Sequence, residues 1–246
     1  MSGHSKWATI KRKKAKTDAA RGRIFTRLIK EIIVAARQGG GDETSNARLR
    51  TAVAAAKSAN MPVANIERAI KKGTGELEGA TYEEVTYEGY GPGGVAIYLD
   101  AVTDNKNRTV AEVRHHLSKH GGNLGESGCV AWMFERKGVI QINAEGIDEE
   151  ELMLMVLDAG AEDMSEDDGV FEVVTDPDNF EAVVEALKEN GIETESAEIT
   201  MVPKNTVKVE GSQAERLLKL MDILEEHDDI QKVYSNFDID MDELGE

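Results

Sequence analysis

The sequence has little cysteine and no long apolar run. Of its 246 residues one is cysteine, Cys129. A single cysteine excludes a disulfide within the chain and a metal site built from several cysteines, and it suits a reducing compartment. No apolar run approaches the roughly 18 residues of a membrane span, and basic residues interrupt the N-terminus where a signal peptide would have its apolar core. We therefore predict a cytoplasmic protein with no membrane partner.

The residue patterns of common active sites are also missing. His116 and His120 stand at helical i, i+4 spacing, but the zinc-protease pattern needs a Glu after the first His, and Leu117 follows it. The glycine-rich stretch 89–94 lacks the Gly-Lys-Ser/Thr ending of a phosphate-binding loop and joins two predicted strands, so we interpret it as a turn. We predict no enzymatic activity, no metal, no cofactor and no small-molecule substrate.

Positive charge is scarce in most of the chain and concentrated at its start. The net charge is −18, from 29 Lys and Arg and 47 Asp and Glu. Residues 1–75 hold seventeen of the basic residues and five of the acidic ones, so this head carries +12 and the remaining body carries −30. A sign difference of this size favours a head that meets a polyanion, and we predict nucleic acid.

A basic stripe is predicted on the first helix of the head. Apolar spacing predicts a helix over 18–38 that ends at three glycines, 39–41. A turn of roughly 100° per residue places four cations within about 80° of one another, opposite the apolar stripe. These cations are Arg23, Arg27, Lys30 and Arg37. Because Glu31 is the only acid among them, we predict that they contact phosphates; a merely solvated helix face is the alternative.

Further candidate contacts lie on either side of this helix. Helices are predicted over 45–59, with Arg48 and Arg50 near its start, and over 63–72, where Lys71 and Lys72 complement the helix dipole. The extended start of the chain offers an aromatic ring for a base and cations for phosphates, with packing of Trp7 on the head as the alternative. Its candidate residues are Lys6, Trp7, Lys11, Arg12, Lys13, Lys14 and Lys16.

The body is predicted to contain two α/β domains. After a Gly- and Glu-rich linker at 74–80, strands are expected over 83–88, 95–101 and 129–135, with a helix over 107–120. The order over 137–202 is β-α-β-β-α-β, as in a ferredoxin-like fold, and 206–237 adds only β-α-β. That half unit would bury too little alone, so it should complete the section before 137.

The predicted fold is therefore α+β and multidomain. A three-helix bundle at the N-terminus spans 1–79 and is followed by two ferredoxin-like α/β domains, one inserted in the other. The discontinuous domain spans 80–136 plus 203–246, and the inserted domain spans 137–202.

Several motifs, in the same order, are shared with a known family. They are Gly3-His4-Ser5-Lys6-Trp7, Gly22-Arg23-Ile24-Phe25-Thr26, Gly39-Gly40-Gly41-Asp42, Tyr87-Glu88-Gly89-Tyr90-Gly91-Pro92-Gly93-Gly94, Asn107-Arg108-Thr109 and Gly121-Gly122-Asn123-Leu124-Gly125. On these residues the sequence resembles the YebC/PmpR family over nearly its whole length. The resemblance implies a helical head and two α/β domains, in agreement with the division above.

The resemblance also implies a regulator of gene expression. Some members are described as DNA-binding transcriptional regulators. Others, including a mitochondrial activator of the translation of a cytochrome oxidase subunit, act at the ribosome where proline-rich nascent chains stall. We predict a non-enzymatic regulator that binds nucleic acid and regulates transcription; the alternative is a translation factor that binds ribosomal RNA and relieves stalling.

In the ribosomal alternative a glycine-rich loop could reach toward a functional centre. Its residues are Tyr87, Glu88, Gly89, Tyr90, Gly91, Pro92, Gly93 and Gly94. The acidic residues of the body are interpreted as keeping it soluble and away from nucleic acid.

Overall fold

The computed structural model describes residues 18–167 and 169–239. It begins with three helices: α1 Asp18–Gly39, α2 Ala47–Ser58 and α3 Val63–Thr74. The side chain of Asn46 caps α2 by accepting the backbone N–H of Leu49, and Gly75 ends α3 with a φ of 84°, a left-handed conformation that favours glycine. No helix in the described ranges is long and apolar enough to cross a membrane.

The apolar faces of these three helices form one core. Ile32, Leu49, Val53 and Ala56 are fully buried in it, and Ile66 of α3 is 3% exposed. Burial of this stripe is what holds short helices together, since their intrinsic propensity alone is marginal. The predicted three-helix bundle is confirmed.

The body begins with an antiparallel sheet that is covered by helices on one face. Its elements are β1 Glu83–Tyr90, β2 Ala96–Thr103, α4 Lys106–Lys119, β3 Asn123–Leu124, α7 Gly211–Glu226 and β9 Ile230–Ser235. The strands lie side by side in the order β3-β1-β2-β9. The core under helices α4 and α7 includes Ile97, Leu99, Leu117, Leu217 and Leu220.

A second antiparallel sheet lies between β3 and α7 in the chain. Its elements are β4 Phe134–Asn143, α5 Glu149–Asp158, β5 Ala161–Asp167, β6 Val170–Thr175, α6 Phe180–Glu189 and β7 Ser196–Pro203. The strand order in the sheet, β5-β6-β4-β7, and the β-α-β-β-α-β sequence along the chain match the predicted ferredoxin-like unit. Ile140, Ile142, Val183 and Leu187 are fully buried between the sheet and its helices. One α/β domain is thus inserted in the other, as predicted.

The strand predicted over 206–209 does not join the first sheet. It is shortened to β8 Val207–Lys208, which pairs in parallel with β10 Phe237–Asp238 in a separate two-stranded ribbon. The first sheet obtains its fourth strand from β3, which pairs with the end of β1 at Gly89 and Tyr90. A Cβ on Gly89 would collide with the carbonyl oxygen of Asn123, so this close pairing requires glycine.

The prediction of a strand over 129–135 is wrong. Residues Ala131–Met133 form a single 3-10 turn, and β4 begins at Phe134 and belongs to the second sheet. The cause is the carboxylate of Glu88, which accepts the backbone N–H groups of Gly128, Val130 and Ala131 at 2.6–2.8 Å. These N–H groups are therefore not available to a sheet ladder.

Candidate nucleic-acid interface

The basic stripe on α1 faces the body of the protein. Arg23 pairs with Glu226 at 3.1 Å, and the guanidinium of Arg27 donates to the carbonyl oxygen of Glu225. Arg37, at the other end of the helix, is exposed and donates to the Thr81 hydroxyl at 3.3 Å. The partners of Arg23 and Arg27 come from the C-terminal end of α7, where carbonyl groups and carboxylates both attract cations.

Lys30 is the most deeply placed cation of the stripe. The residue is 6% exposed, and its Nζ lies 2.7 Å from a carboxylate oxygen of Asp229 and 2.8 Å from the carbonyl oxygen of Asp228. The same ammonium lies 5.4 Å from the centre of the Tyr82 ring. A phosphate could reach Lys30 only if the head moved away from the body.

Asp229 joins this lysine to a motif of the first sheet. It is 3% exposed and also accepts from Arg108 at 2.7 Å, from Thr109 at 2.8 Å and from Thr103 at 3.1 Å. Burial works to raise the pKa of Asp229, but the hydrogen bonds from Lys30, Arg108 and Thr109 outweigh it and hold the pKa well below its usual range. The Asn107-Arg108-Thr109 motif therefore helps to hold the head on the body.

These contacts give three cations of the stripe, Arg23, Arg27 and Lys30, partners within the folded protein. Acidic partners are missing near α1 in sequence, but residues 225–229 supply them in the folded protein. Arg23, Arg27 and Lys30 lie in the contact between head and body, and Arg37 lies at its exposed margin. We therefore do not include Arg27 and Lys30 in the proposed interface.

The two candidates on α2 differ from each other. Arg48 bridges Glu31 at 2.8 Å and Glu84 at 2.5 Å, and hydrogen bonds to both carboxylates raise the pKa of its guanidinium above the usual range. It therefore connects α2 to α1 and to β1. Arg50 is exposed and donates to the carbonyl oxygen of Glu43 at 2.8 Å, and no carboxylate of residues 18–167 or 169–239 pairs with it.

Free positive charge in the described part of the head lies on α3. Arg68, Lys71 and Lys72 are exposed, and their side chains form no ion pair or hydrogen bond with any residue in 18–167 or 169–239. At roughly 100° per residue the three fall within about 100° of one another, opposite the buried Ile66 and Ala69. Sequence reasoning treated Lys71 and Lys72 only as partners of the helix dipole and omitted Arg68. The signal that could have found them is their i, i+3, i+4 spacing.

The candidate residues in 1–17, which we call the basic arm, lie outside the described part of the chain. They are Lys6, Trp7, Lys11, Arg12, Lys13, Lys14 and Lys16.

The predicted glycine-rich loop is in large part a strand. Tyr87, Glu88, Gly89 and Tyr90 belong to β1, and only Gly91, Pro92, Gly93 and Gly94 lie in the connection to β2. Within the connection Pro92 is buried, whereas Gly93 and Gly94 are exposed with φ of 75° and 78°. The exposed part of this motif is thus a two-glycine tip.

Glu88 shows what the strand part of the motif does. Glu88 is 6% exposed. Burial raises the pKa of its carboxyl group, but hydrogen bonds from three backbone N–H groups lower that pKa below the usual value on balance. Tyr90 adds a hydrogen bond from its hydroxyl to the carbonyl oxygen of Cys129 at 3.1 Å. Both side chains hold the turn that leads into the inserted domain.

One group of side chains has the spacing of a metal site. Glu112, His227 and Asp229 place possible ligand atoms within 4.8 Å of one another. However, the two carboxylate oxygens of Asp229 already accept from Lys30 and Arg108, and His227 Nε2 lies 2.9 Å from Glu112. A metal ion would have to displace two cations, so we assign no metal to this group. His120 turns its Nδ1 to the carbonyl oxygen of His116, at 2.9 Å.

Comparison with known families accounts for both parts of the molecule. Residues 5–76 match the N-terminal domain described for TACO1/YebC proteins, and residues 82–237 match the second and third domains of the same proteins. The chain belongs to the TACO1/YebC family. The boundary between the two matches falls in the segment that joins α3 to β1.

Curated members of the TACO1/YebC family are similar over their full length. A protein of Natranaerobius thermophilus is 63% identical over 98% of this chain and 97% of its own, and one of Desulfatibacillum aliphaticivorans is 58% identical over the whole of both chains. Both are named probable transcriptional regulatory proteins. The crystal structure of a conserved hypothetical protein from Aquifex aeolicus is 52% identical, with a TM-score of 0.81 over 94% of this chain and 96% of that one.

Proposed function

We propose that this TACO1/YebC member regulates transcription by binding DNA through its basic head. The observation that carries the proposal is the placement of charge: residues 1–75 carry +12, and the cations of α3 remain free of partners in the described residues after the head has packed on the body. The names of the relatives support a regulatory role. Free cations on one helix face suit the phosphate backbone, which supplies most of the non-specific affinity.

The proposed interface combines the arm with the outer faces of α2 and α3. The arm contributes six Lys and Arg and no acid, and Trp7 adds a ring that suits stacking on a base. Arg50 extends the set on α2, and Lys57, which is 3.9 Å from Glu43, is partly neutralised. No pattern of side chains among these residues specifies a base sequence, so we expect strong salt dependence and modest sequence preference.

The acidic body suits recruitment or orientation better than contact with DNA. Outside 1–75 the chain carries −30, and a surface of this charge repels phosphate. The body also holds α1 through Asp229, so it fixes which faces of the head are turned to solvent.

A salt titration of DNA binding tests this proposal. We compare the full-length protein with a variant in which Lys11, Arg12, Lys13 and Lys14 are Gln, and with Lys71→Gln/Lys72→Gln. For every phosphate that a variant no longer binds, the slope of log K against log salt should fall by about 0.9 for duplex DNA. Glu181→Gln/Glu185→Gln on α6 is the control, since both side chains are exposed on the inserted domain and lie outside the proposed interface.

Two results would contradict the proposal. Unchanged affinity and slope in both cationic variants would place binding elsewhere or exclude it. Recovery of ribosomal RNA instead of DNA after crosslinking in cells would assign the head to RNA, and a single-strand slope of about 0.7 per phosphate would agree with that outcome.

A further inference from the structure

The inserted domain concentrates negative charge. Residues 137–202 contain twenty Asp and Glu and two Lys, which gives this part of the chain a net charge of −18. One of the two lysines, Lys137, is paired with Glu162 at 2.7 Å. The domain is therefore a strongly anionic surface in the same molecule as a cationic arm.

Helix α5 of this domain presents leucine to solvent. Leu154 and Leu157 are 67% and 43% exposed, while Leu152 and Val156 of the same helix are buried in the core. At roughly 100° per residue the two exposed leucines lie about 60° apart, on the side opposite the buried pair. The other large exposed apolar side chains of the described residues, Ile24, Val63, Leu77 and Trp132, lie in four separate segments. Exposed apolar residues that stand singly are ordinary, whereas these two lie side by side on one helix face.

Acidic side chains lie beside this pair. At roughly 100° per residue Glu150 lies on the same side of the helix one turn before Leu154, and Glu151 and Asp158 lie about 40–60° from Leu154 in one direction. All three are exposed, and their side chains have no hydrogen-bond or ion-pair partner within 18–167 and 169–239. The face is thus apolar, with an acidic rim at one end and along one side.

This charge distribution selects the kind of occupant. Nucleic acid and anionic lipid are both repelled by Glu150, Glu151 and Asp158, and a second copy of the same face would place like charges in contact. A basic segment with two apolar side chains near each other fits both the centre and the rim. This chain contains such a segment in residues 1–17, which carry six Lys and Arg, no acid, and Trp7 and Ile10 three positions apart.

We propose that the basic arm, residues 1–17, docks on the Leu154/Leu157 face of α5 in the same molecule when no nucleic acid is bound. Trp7 and Ile10 cover the leucines, and the arm's cations pair with the acidic rim. At roughly 3.3 Å per extended residue, Ile10 and Trp7, which precede Asp18 by eight and eleven positions, reach roughly 26 Å and 36 Å from it. The inserted domain then competes with nucleic acid for the arm, a regulatory consequence that rests on the proposed function.

Tryptophan fluorescence tests the docking directly in the full-length protein. The chain has two tryptophans, so Trp132→Phe leaves Trp7 as the sole reporter. At low salt we expect Trp7 to emit at shorter wavelength, and to be quenched by acrylamide at least twofold less, than in a synthetic peptide of residues 1–17. Leu154→Ser/Leu157→Ser in the same background should restore the quenching of the free peptide, since both side chains are exposed and the fold does not depend on them. High salt should do the same by screening the rim.

Matched variants separate this contact from a general effect. Val63→Ser removes a side chain that is 62% exposed on the basic head, and it should leave the quenching of Trp7 unchanged. Equal quenching of Trp7 in the protein and in the peptide, or protection that survives Leu154→Ser/Leu157→Ser, would overturn the proposal. Protection that disappears on dilution would place the arm on another copy and would also overturn it.

A second measurement connects the docking to binding. If the arm is docked in about nine molecules of ten, its release should tighten the apparent Kd for a 30-base-pair DNA duplex roughly tenfold, because only the released fraction can bind. Leu154→Ser/Leu157→Ser should therefore bind the duplex more tightly than the wild type, and an unchanged Kd would contradict the competition. If no form binds the duplex, the proposed function fails, while the fluorescence result still decides whether the arm docks.

Discussion

Helices α1 and α3 both carry cations at helical spacing, yet among the described side chains those of the α1 stripe have partners and those of α3 are free. On α1, Lys30 is buried against Asp229, and Arg23 and Arg27 contact the end of α7. On α3, Arg68, Lys71 and Lys72 are exposed and have no side-chain partner in the described residues. The difference teaches that a basic stripe is not by itself a binding face, because an acidic domain of the same chain can occupy it.

The largest expected effect comes from breaking the buried pair on α1. Lys30→Met leaves Asp229 without its ammonium partner and removes the donor to the Asp228 and Val102 carbonyls. Because Arg108 still pairs with Asp229, the cost is below the about 3–5 kcal/mol of a charge left unpaired, and we expect the about 1.5–3 kcal/mol of a hydrogen bond to a charged group. Urea unfolding of the full-length protein measures this change. Lys71→Met on α3 is the control and should change the free energy of unfolding by less than about 0.5 kcal/mol; similar values for the two would remove the distinction between the helices.

The acid stability of the protein should depend on the same pair. Interactions in the folded state hold the pKa of Asp229 below its unfolded value of about 3.9. The stabilisation is therefore fully present above about pH 4 and disappears as the pH falls through the lower, folded-state pKa. Asp229→Asn should be less stable than the wild type at pH 7, and this difference should shrink below pH 4. A difference that stays constant down to pH 2 would show that the charge of Asp229 is not what stabilises the contact.

A third prediction compares one arginine and one lysine in two assays. Arg27→Gln should lower thermal stability, because its guanidinium contacts Glu225 in the interface, and should leave the salt slope of DNA binding unchanged. Lys71→Gln should do the reverse and lower the slope by about 0.9 if it contacts a duplex phosphate. If both variants changed only stability, the free face of α3 would have no role in binding.

The smallest effect is expected at the margin of the head. Arg37 is exposed and donates at 3.3 Å and 3.5 Å to Thr81 and Tyr82, contacts that are long and open to water. Arg37→Gln should change the free energy of unfolding by less than about 0.5 kcal/mol. A loss of stability as large as that of Lys30→Met in the same urea experiment would mean that the interface extends further along α1 than its hydrogen bonds indicate.

Local patterns predicted most of the helices and strands. The helix predicted over 18–38 is α1 Asp18–Gly39, and that over 107–120 is α4 Lys106–Lys119. Periodicity sufficed because each apolar stripe identifies its own buried face. The prediction of a strand over 129–135 failed because backbone N–H groups of this segment donate to the carboxylate of Glu88. Glu88 lies more than forty positions earlier in the chain, so no local pattern records this contact.

The candidate interface was less predictable than the fold. The charge split between head and body is visible in the composition, and it still supports the proposal. Which individual cations are free was not predictable: Arg48 forms ion pairs with Glu31 and Glu84, whereas Arg68 pairs with neither. Ion pairs depend on distances of a few ångströms, and the sequence does not contain those distances.

What the sequence by itself determined is the charge of each segment and the face that each helix buries, because both follow from residue type and from regular helical spacing. Only the tertiary structure decided which cations are free. Lys30 and Asp229 lie 199 positions apart in the chain and 2.7 Å apart in space. The packing of α7 on the first sheet and the pairing of β9 with β2 bring that carboxylate to α1. Its charge removes Lys30 from the surface that can meet a polyanion.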